Sequence, residues 1–225
     1  MTRELKMPMN AHHDDMTSSL KANVTNGNGI EDVACFTRAM ALFDAANRED
    51  PNQEAGQPKE LLYSQRMSDM LHRYAPEADE AVQLAVRAQH IRRWSVPRGD
   101  YPMTKEGYFQ WRTGLYRMHA EIAGALMRQA GYGEATIGRA QAAIAKRRLK
   151  SNPDSQLLED VAGLVFIEHY LCSFVVSKPD YDEEKWIDII RKTWQKMSDK
   201  AHQFALSGAL RLPEQYIPLI TRAIG

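Results

Sequence analysis

DSQLLEDVAGLVFIEHYLCSFVV, residues 154–176, is apolar on almost every side when it is wound as an α-helix. A helix that is apolar all round is buried, whereas a surface helix keeps one polar face. Asn152 and Pro153 just before it are typical of a helix start, because asparagine accepts a hydrogen bond from a free backbone N–H and proline fits the first turn. This stretch therefore predicts the central helix of the fold.

On both sides of this helix, apolar residues recur at helical spacing and are interrupted by proline and glycine. No run of residues alternates in the manner of a half-buried strand. We therefore expect an all-α fold, a compact single helical domain over residues 31–225 with about eight helices, preceded by a flexible polar tail over residues 1–30. The expected helices cover about 32–47, 59–74, 77–94, 104–131, 134–149, 154–176, 180–208 and 213–224.

The composition predicts a cytoplasmic protein without a nucleic-acid or membrane partner. Lysine and arginine together number 29, as do aspartate and glutamate, so the formal net charge is zero. A balanced chain lacks the positive field that draws proteins to nucleic acids or anionic membranes. Cys35 and Cys172 are the two cysteines, which is typical of reduced thiols. No window approaches the roughly 18 apolar residues of a membrane helix.

Three ionisable residues fall on the apolar faces of different predicted helices. His90 follows two valines at helical spacing, His119 lies between leucine and alanine, and Asp160 shares a face with apolar residues of the central helix. A buried charge costs several kcal/mol unless it is paired. We therefore expect these groups to meet in one polar site and a cation, a histidine or an arginine to neutralise Asp160. The adjacent Glu159 is a further candidate, although acidic residues also suit a helix start.

Basic residues near these positions suggest a ligand that carries negative charge. A guanidinium offers a planar fork of donors to a phosphate or carboxylate group. A purely structural charge network, in which the basic residues only balance buried carboxylates, explains the pattern about equally well. The candidate anion ligands are Arg66, Arg93, Arg98, Arg112 and Lys146.

From about residue 43 to 170, the chain resembles a family of uncharacterised bacterial and fungal proteins. Some members of that family carry a glutamyl-tRNA synthetase label, but this chain has no glycine-rich nucleotide-binding motif. The segments that carry the resemblance are 47–51, 60–67, 87–94, 111–112, 119–120 and 158–161.

The order of these segments is also remotely similar to that of the HD-domain metal-dependent phosphohydrolases, which are all-helical. Those enzymes hold a divalent metal with a first histidine, a His-Asp pair and a distant aspartate. Tyr63 stands where the first histidine would be, and Ile91 stands where the aspartate of the pair belongs. The remaining positions of the pattern fall on His90, His119, Lys146 and Asp160. The resemblance implies an HD-like fold and a divalent metal, with His90, His119 and Asp160 as its ligands.

We therefore expect a hydrolase that acts on a small anionic, phosphorylated metabolite through a degenerate HD-like site. The expected catalytic residues are His90, His119, Glu159 and Asp160, and the expected substrate-binding residues are Arg66, Arg93, Arg98, Arg112, Lys146 and Tyr63. One alternative is a non-catalytic protein that binds an anionic metabolite or regulates another protein. Another is an interaction module in which Trp186 and Trp194 form a homodimer surface, although core packing of these tryptophans is the more usual arrangement.

Overall fold

The computed structural model describes residues 29–224, so most of the tail predicted over residues 1–30 lies outside the described range. Within that range the chain forms ten α-helices and one short hairpin, which confirms the all-α prediction. No helix in the described range combines the length and apolar character needed to cross a bilayer. The elements are α1 (Val33–Arg48), β1 (Gln53–Glu54), β2 (Gln57–Pro58), α2 (Lys59–Tyr74), α3 (Glu80–Ala88), α4 (Lys105–Ala130), α5 (Glu134–Ile144), α6 (Pro153–Val165), α7 (Leu171–Val176), α8 (Glu183–Trp194), α9 (Asp199–Leu206) and α10 (Ile217–Ile224).

The predicted central helix consists of α6 and α7, which are joined by a π-helical turn at Phe166–Tyr170. In this turn the N–H of Leu171 donates to the carbonyl of Phe166, five residues earlier, so the turn holds one residue more than an α-helical turn. Leu158 and Leu164 are fully buried, as is Leu171. The helix packs against α2, α3, α5 and α9, as expected for the central element.

The third predicted helix is shorter than expected, because α3 ends at Ala88 instead of continuing to residue 94. The chain turns there, with Arg92 in the left-handed region at a φ of 52°. The side-chain oxygen of Asn47 accepts the Arg92 N–H at 3.1 Å and stabilises the turn. His90 therefore lies in a turn rather than on a helix.

The seventh predicted helix is divided into α8 and α9. Ser198 begins α9 as its N-cap and accepts a hydrogen bond from the N–H of Ala201. Just before it, Met197 packs against Gly163 of α6, where a Cβ atom would lie 2.7 Å from the methionine sulfur. Trp186 is only 5% exposed, which agrees with the core packing expected for it. The C-terminal helices therefore share the core of the molecule.

Candidate functional site

A cavity of about 490 Å³ opens beside the central helix. It is bounded by the start of α2, the turn after α3, one face of α4, the central helix and the end of α8. Pockets of this volume enclose metabolite-sized ligands, and such sites combine apolar walls with a few convergent polar groups. This cavity is therefore the candidate functional site.

The cavity wall carries more positive than negative charge. Five cations against two carboxylates leave an excess of three positive charges when both carboxylates are ionised. Aromatic rings complete the wall, and the guanidinium carbon of Arg93 lies 5.1 Å from the ring centre of Trp111. A wall with this balance favours an anionic ligand. The cations are Lys59, Arg93, Arg112, Lys146 and Lys196, and the carboxylates are Glu60 and Glu159.

Glu60 and His90 contact each other in the cavity wall. Glu60 Oε2 lies 3.4 Å from His90 Nδ1, and Glu60 Oε1 lies 3.8 Å from Nη1 of Arg93. The ring of His90 stacks on Tyr63, with the ring centres 4.2 Å apart. Glu60 belongs to the first turn of α2, where its own N–H donates to Oδ2 of Asp50 at 3.0 Å. The stacked ring and the anchored helix start fix the contact between this acid and this base.

Burial gives these two groups unusual acid–base properties, because it disfavours the charged form of each. Burial raises the pKa of Glu60 to about 7, and the positive charge of Arg93 only partly opposes the rise. Burial, followed by repulsion from Arg93, lowers the pKa of His90 well below its usual value. A carboxyl group that titrates near pH 7 can both accept and donate a proton under physiological conditions.

His119 adds a third polar group to the same region. Its Nδ1 lies 2.8 Å from the carbonyl oxygen of Ile91, so Nδ1 carries the hydrogen and donates it. Burial, and then the neighbouring His90, lower the pKa of His119 to about 3, so the ring is neutral. Its Nε2 atom is buried and has no hydrogen-bond partner among the described residues. Glu60 Oε2 is also buried and has no hydrogen-bond partner among the described residues. Buried polar atoms without a partner mark positions where a ligand can bind.

Lys146 and Glu159 form an ion pair in the cavity wall. Lys146 follows α5 and has a φ of 52°, a left-handed conformation that costs a residue with a side chain about 1 kcal/mol. Its ammonium lies 5.4 Å from the ring centre of Tyr116, and the guanidinium carbon of Arg112 lies 5.5 Å from the same centre. The structure therefore brings seven of the ten predicted site residues to one cavity, namely Tyr63, His90, Arg93, Arg112, His119, Lys146 and Glu159.

Asp160 lies outside the cavity wall, which corrects the expectation that it shares a site with the histidines. Its carboxylate accepts hydrogen bonds from the Tyr74 hydroxyl at 3.1 Å, Gln156 Nε2 at 2.9 Å and the Ser198 N–H at 2.7 Å. Neutral donors, rather than a cation or a histidine, thus satisfy this buried carboxylate. Consecutive helical residues point about 100° apart, so Glu159 reaches the cavity and Asp160 does not.

Arg66 and Arg98, two of the predicted anion ligands, also lie outside the wall. Arg66 pairs with Glu54 of the hairpin and donates to the hydroxyl of Tyr170 at 2.9 Å. Tyr170 itself lines the cavity. Arg98 donates to carbonyls of the loop that follows it, including that of Tyr101 at 3.0 Å. Both arginines are therefore engaged by groups of the protein. The other predicted ligands, Tyr63, Arg93, Arg112 and Lys146, do line the cavity.

The three predicted metal ligands do not come together. His90 and His119 line the cavity, but Asp160 is used by hydrogen-bond donors elsewhere. Across residues 29–224, no three side chains of the histidine, cysteine, aspartate and glutamate types are grouped so that they could hold a metal ion. Zinc sites in proteins use at least three protein ligands. The residues present therefore do not fit the metal that the HD resemblance implies.

Glu60, Lys59 and Lys196 belong to the cavity and were missed by reasoning from the sequence. Glu60 lies in the first turn of α2, where an acidic residue is unremarkable because it suits the helix dipole. Lys196 lies in the turn that divides the predicted seventh helix, so its neighbours were not apparent. One signal was available, because Glu60 is the first residue of the family-like segment 60–67.

Comparison with known proteins supports the family resemblance. Neither the curated proteins nor the solved structures gave a match. A family model described as a domain of unknown function, DUF4202, matches residues 37–220, which include every cavity residue named above. Because the match covers most of the chain, this protein belongs to the DUF4202 family.

Proposed function

We propose that this protein is a hydrolase of a small anionic, phosphorylated metabolite, which binds in the cationic cavity and reacts beside Glu60 and His90. One observation carries the proposal. The buried carboxyl group of Glu60, whose pKa is about 7, contacts both the neutral imidazole of His90 and the guanidinium of Arg93. Perturbed titratable groups that converge in a cavity are typical of active sites.

In the proposed reaction, ionised Glu60 takes a proton from a water molecule while the water oxygen attacks the substrate. The proton then passes to the leaving group, so Glu60 returns to its ionised form. Neutral His90 orients the water by a hydrogen bond, and Arg93 stabilises the negative charge that develops. His119 accepts a hydrogen bond from the ligand or the water through its unpartnered Nε2. Glu159 positions Lys146 rather than reacting itself.

A distant relationship to the HD-domain phosphohydrolases is part of the same proposal. Its support is that Tyr63, His90, His119 and Lys146, which the comparison of segment order picks out, all line one cavity. The position of Asp160 departs from that pattern, so the proposed chemistry rests on Glu60. The glutamyl-tRNA synthetase label is not part of the proposal, because the chain has no glycine-rich nucleotide-binding motif.

The test is a turnover assay on a panel of phosphorylated and other anionic metabolites. It is run with a chelator and again with added divalent metals. We expect turnover of at least one compound, and we expect Glu60→Gln to lower kcat by about 100-fold or more, because glutamine cannot accept the proton. Glu121→Gln is the matched control, since Glu121 lies exposed on α4, and it should retain wild-type activity. Full activity of the Glu60→Gln variant would refute the assigned role.

The same panel separates catalysis from binding without catalysis. One observation favours the non-catalytic alternative, because each carboxylate of the cavity already has a cationic neighbour. Glu60 lies beside Arg93, and Glu159 pairs with Lys146. A ligand that raises the melting temperature while no product forms would support that alternative and contradict the hydrolase.

A further inference from the structure

Three cations of the cavity form a cluster that has no residue in common with the Glu60–His90–Arg93 group. Arg112 of α4 and Lys146 both contact the ring of Tyr116. Lys196 lines the same cavity wall as these two residues. Partial desolvation and then repulsion from Arg112 lower the pKa of Lys196, whereas the charge of Glu159 opposes this. Three separate segments of the chain therefore bring positive charges to one cavity.

The charge of this cluster is not balanced by the protein. Glu159 pairs with Lys146, but the partners of Arg112 are the neutral hydroxyls of Tyr116 and Tyr108. Lys196 is exposed and lines the cavity, so its ammonium is open to solvent and to a ligand there. Three cations and one carboxylate leave two positive charges, which is the charge that a phosphoryl dianion would neutralise.

The backbone at Lys146 shows how the chain brings this side chain to the cluster. Lys146 has a left-handed conformation because it belongs to the C-cap of α5: its N–H donates to the carbonyl of Ala143, and the N–H of Arg147 donates to the carbonyl of Ala142. The chain leaves the helix at this point, and the side chain of Lys146 lies in the cavity wall, where it is only 12% exposed.

The cluster and the reacting group nevertheless belong to one cavity. Burial and the charge of Arg93 have the largest effects on the pKa of His90. The charges of Lys146 and Arg112 come next, and they lower this pKa further. A single ligand can therefore contact the cluster at one end and Glu60 and His90 at the other.

We propose, building on the function proposed above, that Arg112, Lys146 and Lys196 bind a phosphoryl group as a handle that does not react. The substrate class is then a small molecule with a terminal phosphoryl group and a second, hydrolysable bond that lies at Glu60 and His90. Water adds across that second bond, giving a hydrogen to one fragment and a hydroxyl to the other. The phosphoryl group remains attached to one of the products, and no inorganic phosphate is released.

The test measures the affinity of inorganic phosphate by isothermal titration calorimetry on the full chain. We expect Lys196→Gln and Arg112→Gln each to weaken phosphate binding about tenfold, the usual effect of losing one charge-assisted contact. Lys192→Gln is the matched control for Lys196, and its side chain is 66% exposed. Arg117→Gln is the matched control for Arg112 on the same helix, at 81% exposed. Both controls should bind phosphate within a factor of about two of wild type.

Glu60→Gln should bind phosphate no more weakly than the wild type, because Glu60 belongs to the other end of the ligand. Thermal melting of each variant checks folding, and the exposed Lys196 can be replaced without disturbing the core. If Arg93→Gln abolishes phosphate binding while Arg112→Gln and Lys196→Gln leave it unchanged, the handle is refuted, although the proposed function stands. The handle would also be refuted if the protein released inorganic phosphate from a substrate that it turns over. If the protein binds no phosphate and turns over no compound of the panel, both proposals are overturned.

Discussion

Glu60 shows how position gives a residue a property that its chemical type lacks. In water a glutamate is almost fully ionised at pH 7, but here burial raises the pKa of Glu60 to about 7. The exposed fraction of the residue is 5%, and its Oε2 receives no hydrogen bond from a described residue. The sequence identifies Glu60 as an acidic residue at a helix start, and only the packed structure makes it an acid–base group.

The raised pKa of Glu60 predicts a specific pH dependence of stability. The folded state holds the Glu60 proton up to about pH 7, whereas the unfolded chain releases it near the ordinary value of 4.5. Stability from this group is therefore complete below pH 4.5 and is lost as the pH rises towards 7, by about 3 kcal/mol in all. Urea denaturation between pH 4 and about 8 should show Glu60→Gln gaining stability relative to wild type across this window.

Glu121→Gln is the control for this titration, because an exposed carboxylate contributes little to stability. Its stability should follow that of the wild type at every pH. A constant difference between Glu60→Gln and wild type from pH 4.5 to about 8 would contradict the raised pKa.

The start of α9 is stabilised by a carboxylate from another helix. Asp160 of α6 accepts the N–H of Ser198, which is the N-cap of α9, and it also accepts the hydroxyl of Tyr74. This arrangement joins α2, α6 and α9 at one buried point. The sequence correctly indicates that Asp160 is buried, but its partners come from residues distant in the chain, and no local pattern identifies them.

Asp160→Asn should destabilise the protein by about 2 kcal/mol, because the amide keeps one oxygen for the Ser198 N–H but loses the charge-assisted hydrogen bonds that the second oxygen accepts from the Tyr74 and Ser198 hydroxyls. Phosphate affinity should remain at the wild-type value, since Asp160 does not line the cavity. Urea denaturation and calorimetry measure the two effects. Asp188→Asn, which removes a carboxylate paired with Lys192 on the surface, should change stability by less than about 0.5 kcal/mol. A loss of phosphate binding in Asp160→Asn would contradict this role for Asp160.

The C-terminal helices α8 to α10 complete the core of the whole molecule. Trp186, Ile190 and Ile220 are buried in the described structure, and Lys196 of this region lines the cavity. We expect a chain that ends at Lys178 to lose its cooperative thermal unfolding and its phosphate binding, because a large apolar surface of the core would be exposed. Circular dichroism during heating measures the first effect. A truncated chain that still unfolds cooperatively as a monomer would show instead that the tryptophan face is a dimer surface.

The fold of the molecule could be predicted from the sequence to a large extent. Apolar periodicity with proline and glycine boundaries located α1, α2, α4 and the central helix to within a few residues. The end of α3 and the division between α8 and α9 were not predicted, because at each a backbone N–H donates to the side chain of a distant residue. Asn47 accepts the N–H of Arg92, and Asp160 accepts the N–H of Ser198. The candidate site was located by its histidines and by Lys146, but Glu60 and Lys196 required the tertiary structure.

The π-helical turn at Phe166–Tyr170 also determines where the length of this chain can change over generations. The turn holds one residue more than a regular turn but gives the same rotation, so the residues after it face the directions they would have in an unbroken α-helix. Loss of one codon within the turn should therefore restore regular winding and leave Leu171 in the core and Phe174 at the cavity wall. Loss of a codon from regular α-helix would instead rotate the following side chains by about 100°. A change of length should therefore be tolerated better in this turn than in the regular parts of the central helix.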